Sequence, residues 1–347
     1  MKPKTTVLVG AGMVAKTHMA ACVDSEFVHL KGIAARSVES ARRLADFGQA
    51  EYGIGFQVYE NLDAVIADAE VDFVIIATPP NARLSLIEPL AQSGKHILLE
   101  KPVGRNSKEA EMVVQACAAA NVELGVFFQH RAREASIKAA EIIQSGEFGG
   151  LCVAEFDVPW WREQSYYDEP GRGTYERDGG GVLISQAIHT IDLGLSLTGP
   201  VRSVTAMSKT TMFHDMEAED YVVAGLEFEN GAVGRLTASV ANFPGGAETI
   251  KLYFEHGALK LEAGTLTMTD KQGKVSTFGA ETGTGGGADP MAFTHEWHQR
   301  IIENFVTSID GTEPAIATGE DALSSHRLID AIVQSSKEQK VVFINHG

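Results

Sequence analysis

The chain has 347 residues, 44% of them hydrophobic and 22% charged, and a formal net charge of −17 at pH 7. Its length exceeds that of one ordinary hydrophobic core, so we expect a globular protein with two domains. The acidic balance argues against nucleic acid and anionic membranes as partners, since both bind basic surfaces, and no apolar run reaches the roughly 18 residues of a membrane span.

The cysteines indicate a reducing compartment. Cys22, Cys117 and Cys152 share no CxxC spacing, and their odd number leaves at least one unpaired. The apolar run after Lys4 is too short for a secretory signal and instead predicts a first strand. We therefore expect a cytoplasmic protein whose cysteines act as small apolar residues.

Residues 5–128 alternate between strand and helix patterns. The predicted strands are short apolar stretches that end in turn residues, at 5–10, 28–35, 71–79, 95–102 and 122–130. Continuous apolar runs are typical of strands buried on both faces, and strand–helix alternation predicts a doubly wound parallel sheet of the Rossmann type. We assign residues 1–128 to this dinucleotide-binding domain.

The pattern changes after residue 130 and predicts an α+β domain over 129–347. A helix at 134–146 is followed by strand-like segments joined by tight turns, at 201–212, 220–242 and 249–270. The turn sequences EN-G and EH-G are hairpin signals, so this sheet should be mostly antiparallel. A glycine-rich stretch at 279–290 predicts a mobile loop. Two helices close the chain, at 293–311 and about 319–338, and we expect the last one to pack back on the first domain.

The first chemical motif follows the first strand, where Gly10, Gly12 and Ala15 form a GxGxxA pattern. It follows a strand and opens a helix, which is the context that a dinucleotide fingerprint requires. The first glycine permits the tight turn, the second lets the backbone approach a pyrophosphate, and the alanine allows close packing of the helix on the strand. We expect these residues, with Met13 and Val14, to bind the cofactor.

The second strand ends at Arg36 and Ser37, where a site built for NAD usually has an acidic residue for the ribose 2′-hydroxyl. Guanidinium and hydroxyl groups suit a 2′-phosphate instead. The sequence therefore favours NADP(H) over NAD(H). The alternative is that Arg36 is a solvated loop residue and NAD binds without the acidic contact.

Two further strand ends lie at the edge of the sheet where a cofactor binds in this fold. Residues 78–81, which are Thr78, Pro79, Pro80 and Asn81, are candidates for the nicotinamide ribose. Asn81 could equally cap the following helix.

Glu100 and Lys101 follow the next buried strand and are candidates for the cofactor and the reaction. Burial would lower the pKa of Lys101 toward values useful in acid–base catalysis. The bond before Pro102 is a candidate cis peptide. The alternative for this strand end is a solvated ion pair.

The stretch 179–193, GGGVLISQAIHTIDL, could be a second phosphate loop, a structural joint or the active site. It predicts an amphipathic helix on which Ser185, His189 and Asp192 share one face by their spacing. The motif near residue 10 already provides a nucleotide-binding site. We therefore expect the glycines at 179–181 to let the helix start close to the substrate. We expect no metal, because His189 and Asp192 are only two ligands.

Residues 158–178 are dense in aromatic and arginine side chains, which stack on sugar rings and bind hydroxyls or carboxylates. The alternative is a surface loop folded over a hydrophobic patch. The candidate substrate-binding residues across the chain are Lys101, Gln129, Arg131, Trp161, Arg172, Ser185, Gln186, His189 and His295.

Five segments covering nearly the whole chain carry a family resemblance: VLVGAGMVAKTH, ATPPNAR, GKHILLEKPVGRN, GGGVLISQAIHTIDL and GTEPAIATGEDALSSHRLIDAIVQSS. They resemble the glucose–fructose oxidoreductase, inositol dehydrogenase and MocA-like (Gfo/Idh/MocA) oxidoreductases. The resemblance implies a nicotinamide cofactor, a sugar, polyol or sugar acid as substrate, and an open-faced second sheet that packs in homodimers or homotetramers. It places Lys101 beside the nicotinamide with His189 facing it, and it aligns Arg172 with an arginine that precedes the glycine run.

The sequence departs from this family at Ser185, where most relatives have an aspartate that binds substrate and relays protons. Serine can hydrogen-bond a hydroxyl but cannot hold a proton at neutral pH, so Lys101 and His189 would share the proton transfer. We predict an NAD(P)-dependent oxidoreductase acting on CH–OH groups. The alternatives are a lyase or hydrolase that uses transient oxidation, and a catalytically silent protein that senses nucleotides.

Overall fold

The computed structural model describes residues 2–281 and 293–346, so residues 282–290 of the predicted mobile loop lie outside the described part of the chain. The chain divides into two compact units. The first comprises Met1–Gly104, Lys108–Gln129 and Thr294–Glu320, and the second comprises Arg105–Ser107, His130–Phe293 and Asp321–Gly347.

The first unit contains a sheet whose described strands all pair in parallel. These strands are β1 (Lys4–Val9), β2 (Val28–Ala34), β3 (Gln57–Val58), β4 (Phe73–Ile76), β5 (His96–Leu99) and β6 (Leu124–Val126). Their spatial order is β3-β2-β1-β4-β5-β6, which confirms the predicted doubly wound sheet. The strands form because apolar runs are buried on both faces: every residue of β4 is buried.

Helices connect these strands, as the alternating pattern predicts, although the short helix between β3 and β4 was not predicted. They are α1 (Ala15–Val23), α2 (Val38–Tyr52), α3 (Leu62–Ala67), α4 (Arg83–Gln92) and α5 (Ser107–Ala119). The unpredicted helix α3 starts at an Asn61 cap, whose side chain accepts from the Ala64 amide at 2.9 Å.

The second unit contains a sheet that is antiparallel at every described pair except β7 with β10. Its strands are β7 (Leu151–Pro159), β8 (Val201–Lys209), β9 (Tyr221–Phe228), β10 (Val233–Ser239), β11 (Thr249–Phe254), β12 (Gly257–Glu262), β13 (Thr265–Asp270), β14 (Val275–Gly279) and β15 (Val342–Phe343). Both predicted hairpins are confirmed, as β9–β10 and β11–β12.

Helices of the second unit cover one face of this sheet. These are α6 (Glu134–Ser145) and α8 (Ile188–Thr198), which pack on the strands, and the same unit contains the short helix α7 (Gln164–Tyr167). The opposite face carries exposed apolar side chains at Met207, Val223, Val233 and Tyr253. The mostly antiparallel sheet predicted for the second part of the chain is therefore confirmed.

The two C-terminal helices are α9 (Glu296–Ile309) and α10 (Gly319–Glu338). Helix α9, which the sequence division assigned to the second domain, belongs to the first unit because its apolar stripe packs there: the ring of Phe305 lies 5.6 Å from that of Phe73. Most of α10 belongs to the second unit, where the Ser335 side chain accepts from the Ala206 amide at 3.0 Å. The boundary after residue 128 and the packing of α10 on the first domain stay predictions. Among the described residues, no helix is long and apolar enough to cross a membrane.

Candidate active site

The turn between β1 and α1 has the shape that the dinucleotide motif requires. Gly10 has a φ of +125°, and a Cβ there would lie 2.5 Å from the carbonyl oxygen of Ala77. A Cβ at Gly12 would meet nothing within 4 Å. Ala15 is fully buried at the start of α1. Only a glycine permits the first position, while the second faces open space before a helix N-terminus, so this turn fits a pyrophosphate.

The end of β2 presents an unengaged arginine. Arg36 is exposed and makes no hydrogen bond or ion pair within the part of the chain that the structure describes. Ser37 caps α2, because its hydroxyl oxygen accepts from the Ser40 amide at 3.2 Å. Arg43, one turn further, pairs instead with Glu39 at 2.7 Å.

The ends of β4 and β5 are tied together by Arg83, a residue that the sequence did not single out. Its Nε and Nη2 donate to the carbonyl oxygen of Thr78 at 2.9 and 2.7 Å. It also donates to the carbonyl oxygens of Glu100 and, at 3.2 Å, Lys101. Arg83 is 3% exposed, and burial lowers the pKa of its guanidinium to about 10. One buried cation therefore fixes two strand ends that carry candidate cofactor residues.

The Thr78 side chain leaves a polar atom for a ligand. Its Oγ1 is buried and has no hydrogen-bond partner among the described residues. Pro80 and Asn81 lie in a single 3₁₀ turn, and neither this turn nor α4 has a side-chain cap. The alternative that Asn81 caps the helix is therefore wrong, and the place of residues 78–81 at the nicotinamide ribose stays a prediction.

The Glu100 carboxylate is buried in the first unit, where it contacts histidine side chains instead of solvent. Its carboxylate lies 3.0 Å from His18 Nε2 and accepts from the Lys101 amide at 3.1 Å, and His298 Nε2 lies 3.8 Å away. Burial by itself would raise the pKa of Glu100, but its hydrogen bond with His18 and its interactions with His18, His298 and Lys101 bring it down to about 2. Burial lowers the pKa of His298 to about 3. The carboxylate is therefore ionised at neutral pH and holds the Lys101 backbone in place.

Lys101 itself is partly exposed at the end of β5, and its bond to Pro102 is cis, as predicted. Its backbone is fixed on both sides, because the amide is bound by Glu100 and the carbonyl by Arg83. The first unit thus brings Gly10, Thr78 and Lys101 to the carboxyl edge of one parallel sheet, which is where this fold binds nucleotides.

The backbone amides of the glycine run in the second unit bind a side-chain carboxylate of the same chain. The Glu219 carboxylate accepts from the amides of Gly181 at 3.2 Å and Leu183 at 3.1 Å, and the Glu219 carbonyl accepts from Val182 at 2.8 Å. A Cβ at Gly181 would overlap the Glu219 backbone. Burial raises the pKa of Glu219. A phosphate has no place here, so the structure supports the reading of the glycines as a joint.

The prediction of a regular amphipathic α-helix is wrong for the first turn. Leu183–Ala187 forms a π-helical turn, and the regular helix α8 begins only at Ile188. Ser185 is the single residue from 181 to 195 that is not buried. The amide nitrogen of Gln186, which is 4% exposed, lies 3.4 Å from the Tyr166 hydroxyl, and its Oε1 is buried without a partner in the described chain. Turns of this kind occur often at functional sites.

His189 and Asp192 have different surroundings on α8. The His189 ring stacks on His130 with centroids 4.9 Å apart, and His189 is 5% exposed. Asp192 is fully buried in a bidentate pair with Arg131, at 2.7 and 2.8 Å. Burial raises the pKa of Asp192 to about 6 although Arg131 opposes this. Arg131 therefore has a structural partner, and its role in substrate binding stays a prediction.

The aromatic stretch forms one cluster in the second unit. Tyr166 lies 5.0 Å from Tyr167 and 4.7 Å from the Arg172 guanidinium. Trp161 packs edge-on against the exposed rings of Phe213 and Phe243, at 5.7 and 5.4 Å. The cluster carries both the arginines and the aromatic faces that the sequence proposed for sugar recognition.

The remaining candidates lie in the first unit. Gln129 is 8% exposed at its end. His295 precedes α9, and its Nε2 lies 2.7 Å from Asp24 Oδ2. The candidate site residues are thus divided between units: Lys101, Gln129 and His295 in the first, and Ser185, Gln186, His189, Arg131, Trp161 and Arg172 in the second. In the described chain, no group of three or more His, Cys, Asp or Glu side chains is placed to hold a metal.

Two family models match the chain. Residues 4–128 match the oxidoreductase family with an NAD-binding Rossmann fold, and residues 136–260 match the GFO/IDH/MocA C-terminal domain. The chain is 26% identical to the rhizopine catabolism protein MocA of Rhizobium meliloti, over 94% of this chain and 93% of that protein. It is also 26% identical to the inositol 2-dehydrogenase of Rhizobium meliloti strain 1021, over 97% and 98% of the two chains.

Solved structures agree over the whole length. The WlbA dehydrogenase of Bordetella pertussis, in complex with NADH and UDP-GlcNAcA, is 26% identical with a TM-score of 0.83, covering 99% of this chain and 98% of that one. Levoglucosan dehydrogenase, in complex with NADH and levoglucosan, has a TM-score of 0.84 at 21% identity, covering 99% and 100%, which shows the shared fold.

Proposed function

Because the chain belongs to the Gfo/Idh/MocA family of oxidoreductases, we propose that it transfers a hydride between NADP(H) and a secondary alcohol or carbonyl of a sugar, a polyol or a sugar acid. The observation that carries the proposal is the position of Lys101 at the carboxyl edge of the Rossmann sheet, with its backbone held by Glu100 and Arg83. An amine at this edge lies where the cofactor of such a fold reacts. Relatives that are named dehydrogenases support the same chemistry.

Lys101 is the proton acceptor in the oxidative direction. The nicotinamide supplies the hydride-accepting carbon when the cofactor is bound. The neutral Lys101 amine takes the hydroxyl proton of the substrate as the C–H electron pair leaves with the hydride and the C=O bond forms. In the reductive direction the Lys101 ammonium returns the proton to the alkoxide oxygen.

His189 is the second group in this proton transfer, and it polarises the reacting oxygen. Ser185 and Gln186, which lie within the π-helical turn, bind substrate hydroxyls without exchanging protons at neutral pH. The variant His189→Asn is expected to lower kcat about 100-fold. An unchanged kcat in this variant would remove His189 from the mechanism.

Gly10, Gly12, Met13, Val14 and Ala15 would hold the cofactor. Residues 78–81 would hold its nicotinamide ribose, and Glu100 and Lys101 would complete the site. The open space at Gly12 and the buried, unpartnered Thr78 Oγ1 support this placement.

NADP(H) is preferred over NAD(H) because the exposed Arg36 has no acidic partner in the described chain and is free to bind a 2′-phosphate. Arg36→Ala is expected to weaken NADP binding about 10-fold or more and leave NAD binding unchanged. Arg43→Ala, which removes an arginine already paired with Glu39, is the matched control. Weaker NAD binding with intact NADP binding in Arg36→Ala would reverse the preference.

The protein is a homodimer or homotetramer that uses the exposed face of the second sheet. Met207, Val223, Val233 and Tyr253 on this face support the proposal, since such apolar side chains favour burial against a second copy. Light scattering of wild type and Val223→Glu tests it, and a monomeric wild type would contradict it. The buried free thiols of Cys22 and Cys117 support a cytoplasmic location.

Absorbance at 340 nm with a panel of sugars, polyols and sugar acids tests the whole proposal. A dehydrogenase consumes or forms reduced cofactor in proportion to product. A lyase or hydrolase that uses transient oxidation would form product without net change in cofactor. Binding of cofactor without turnover of any panel member would favour a nucleotide sensor.

A further inference from the structure

Three buried polar atoms lie on side chains around the Tyr166 ring and have no hydrogen-bond partner within the described chain. They are Arg172 Nε, Gln186 Oε1 and the Tyr167 hydroxyl. Gln186 lies 3.4 Å from the Tyr166 hydroxyl, the Arg172 guanidinium 4.7 Å from the Tyr166 ring, and the Tyr167 ring 5.0 Å from it. An unsatisfied buried polar atom is unfavourable, because it has lost its hydrogen bonds to water without gaining others. A ligand that supplies both acceptors and donors would satisfy this set.

Two guanidinium groups lie near the Tyr166 ring, and that of Arg172 is the nearer. A second guanidinium, that of Arg162, lies 5.8 Å from the same ring. The only carboxylate hydrogen-bonded to Arg172 among the described residues is Glu169, at 2.8 Å, and it is shared with Arg177 at 2.6 Å. Glu169 therefore divides its two oxygens between Arg172 and Arg177, and Arg172 Nε has no acceptor among the described residues.

Two other carboxylates near this cluster already have hydrogen-bond partners. Asp178 accepts from the Gly173 amide at 2.9 Å and lies 3.7 Å from Arg177. Asp220 binds the side chains of Thr211 and His214, at 2.6 and 2.8 Å. Ser185 and Gln186 carry no charge, so an incoming carboxylate meets the Nε donor of Arg172 and neutral hydrogen-bonding groups.

We propose that Tyr166, Arg172 and Gln186 form a subsite for the carboxylate end of a hydroxy-acid substrate. Arg172 Nε donates to the carboxylate, Gln186 Oε1 accepts from the neighbouring hydroxyl, and Tyr166 holds both side chains in place by stacking and by its hydroxyl. The subsite rests on the proposed function and narrows its substrates from sugars and polyols in general to sugar acids.

The test compares aldonates with the alditols of the same carbon skeleton, in wild type, Arg172→Met and Arg177→Met. Arg177 is the matched control because it shares Glu169 and has a side-chain exposure of 22% against 19% for Arg172. Wild type should favour the acid at least 10-fold in kcat/KM. Arg172→Met should lower kcat/KM about 100-fold for the acid and less than 3-fold for the alditol, whereas Arg177→Met should change neither more than 3-fold.

Calorimetric binding of the same acids to the enzyme with NADP(H) separates the subsite from the reaction. If Arg172→Met weakens acid binding about 100-fold, the subsite is supported even when no acid is oxidised. In that case the proposed oxidoreductase function fails and the subsite stands. Equal losses for acid and alditol, or a wild type that favours alditols, overturn the subsite while the oxidoreductase function stands. If Arg172→Met does not fold, Arg172→Lys gives the same comparison, because lysine keeps the charge but lacks the Nε donor. This variant should bind the acid at least 10-fold more weakly than wild type. An affinity equal to that of wild type would overturn the proposal.

Discussion

Replacing Arg83 by methionine is expected to slow hydride transfer far more than it destabilises the protein. Arg83 donates to three carbonyl oxygens on two strand ends, and charge-assisted bonds of this kind contribute about 1.5 kcal/mol each at the lower end. Burial acts in the opposite direction: a guanidinium pKa lowered to about 10 corresponds to a cost of about 3 kcal/mol. The free energy of unfolding should therefore fall by only about 1–2 kcal/mol.

Turnover should respond more strongly because Thr78 and Lys101 lose their common tether. A displacement of about 1 Å at the reacting group costs about 100-fold in rate, so kcat should fall by about that factor. Urea unfolding and steady-state kinetics measure the two effects. In Arg83→Ala, added guanidinium ion should restore part of kcat, whereas sodium at the same ionic strength should not.

The matched control is Lys95→Met. Lys95 is also a buried cation that donates to a carbonyl oxygen, that of Asp68 at 2.6 Å, away from the candidate site. Its replacement should lower stability by a similar amount with kcat unchanged. If Arg83→Met kept kcat within 3-fold of wild type, or if Lys95→Met lost as much activity, the positioning role of Arg83 would be refuted.

Three further outcomes follow from single side chains. Gly12→Ala should leave the free energy of unfolding within about 0.5 kcal/mol of wild type, because a Cβ there meets no atom within 4 Å. It should weaken cofactor binding at least 10-fold by filling the space for the pyrophosphate. Fluorescence titration checks this, and intact binding would contradict it. Glu100 has a folded pKa of about 2, below its unfolded value, so its stabilisation is present above about pH 4.5 and is lost as pH falls toward 2. Glu100→Gln should therefore be about 3 kcal/mol less stable than wild type at pH 7 and only about half as much at pH 3; a pH-independent difference by urea unfolding would argue against the ionised carboxylate. Ser185→Asp should lower kcat/KM for aldonates about 10-fold with little effect on alditols, by like-charge repulsion, and an equal effect on both would be evidence against a carboxylate near residue 185.

The first sheet could be predicted from the sequence because its information is local. Strands such as β4 are buried on both faces and appear as unbroken apolar runs, and the GxGxxA turn marks the start of α1. The very short strands β3 and β15 could not be predicted, since two residues carry no periodic signal. Helix α9 has a clear apolar face, but the sequence does not say which core that face joins.

The candidate site could be predicted only in part because several of its supports are distant along the chain. Arg83 binds backbone carbonyls, which have no sequence signature. Glu219 occupies the amides of a glycine run that lies 36 to 38 residues earlier. The π-helical turn at Leu183–Ala187 begins at this contact and has no local pattern that marks it, so the spacing of Ser185 and His189 suggested a regular helix. The sequence shows which residues are candidates for the reaction, but it does not show the contacts that hold them in place.

The most direct test of the account is hydride transfer in a single turnover by Lys101→Met, measured at 340 nm with an aldonate that the wild type oxidises. Cofactor affinity, measured separately by fluorescence, should stay within 3-fold of wild type. The account predicts that the rate of transfer falls about 100- to 10,000-fold, because the hydroxyl proton has lost its acceptor. Near-normal transfer by Lys101→Met with intact cofactor binding would contradict it.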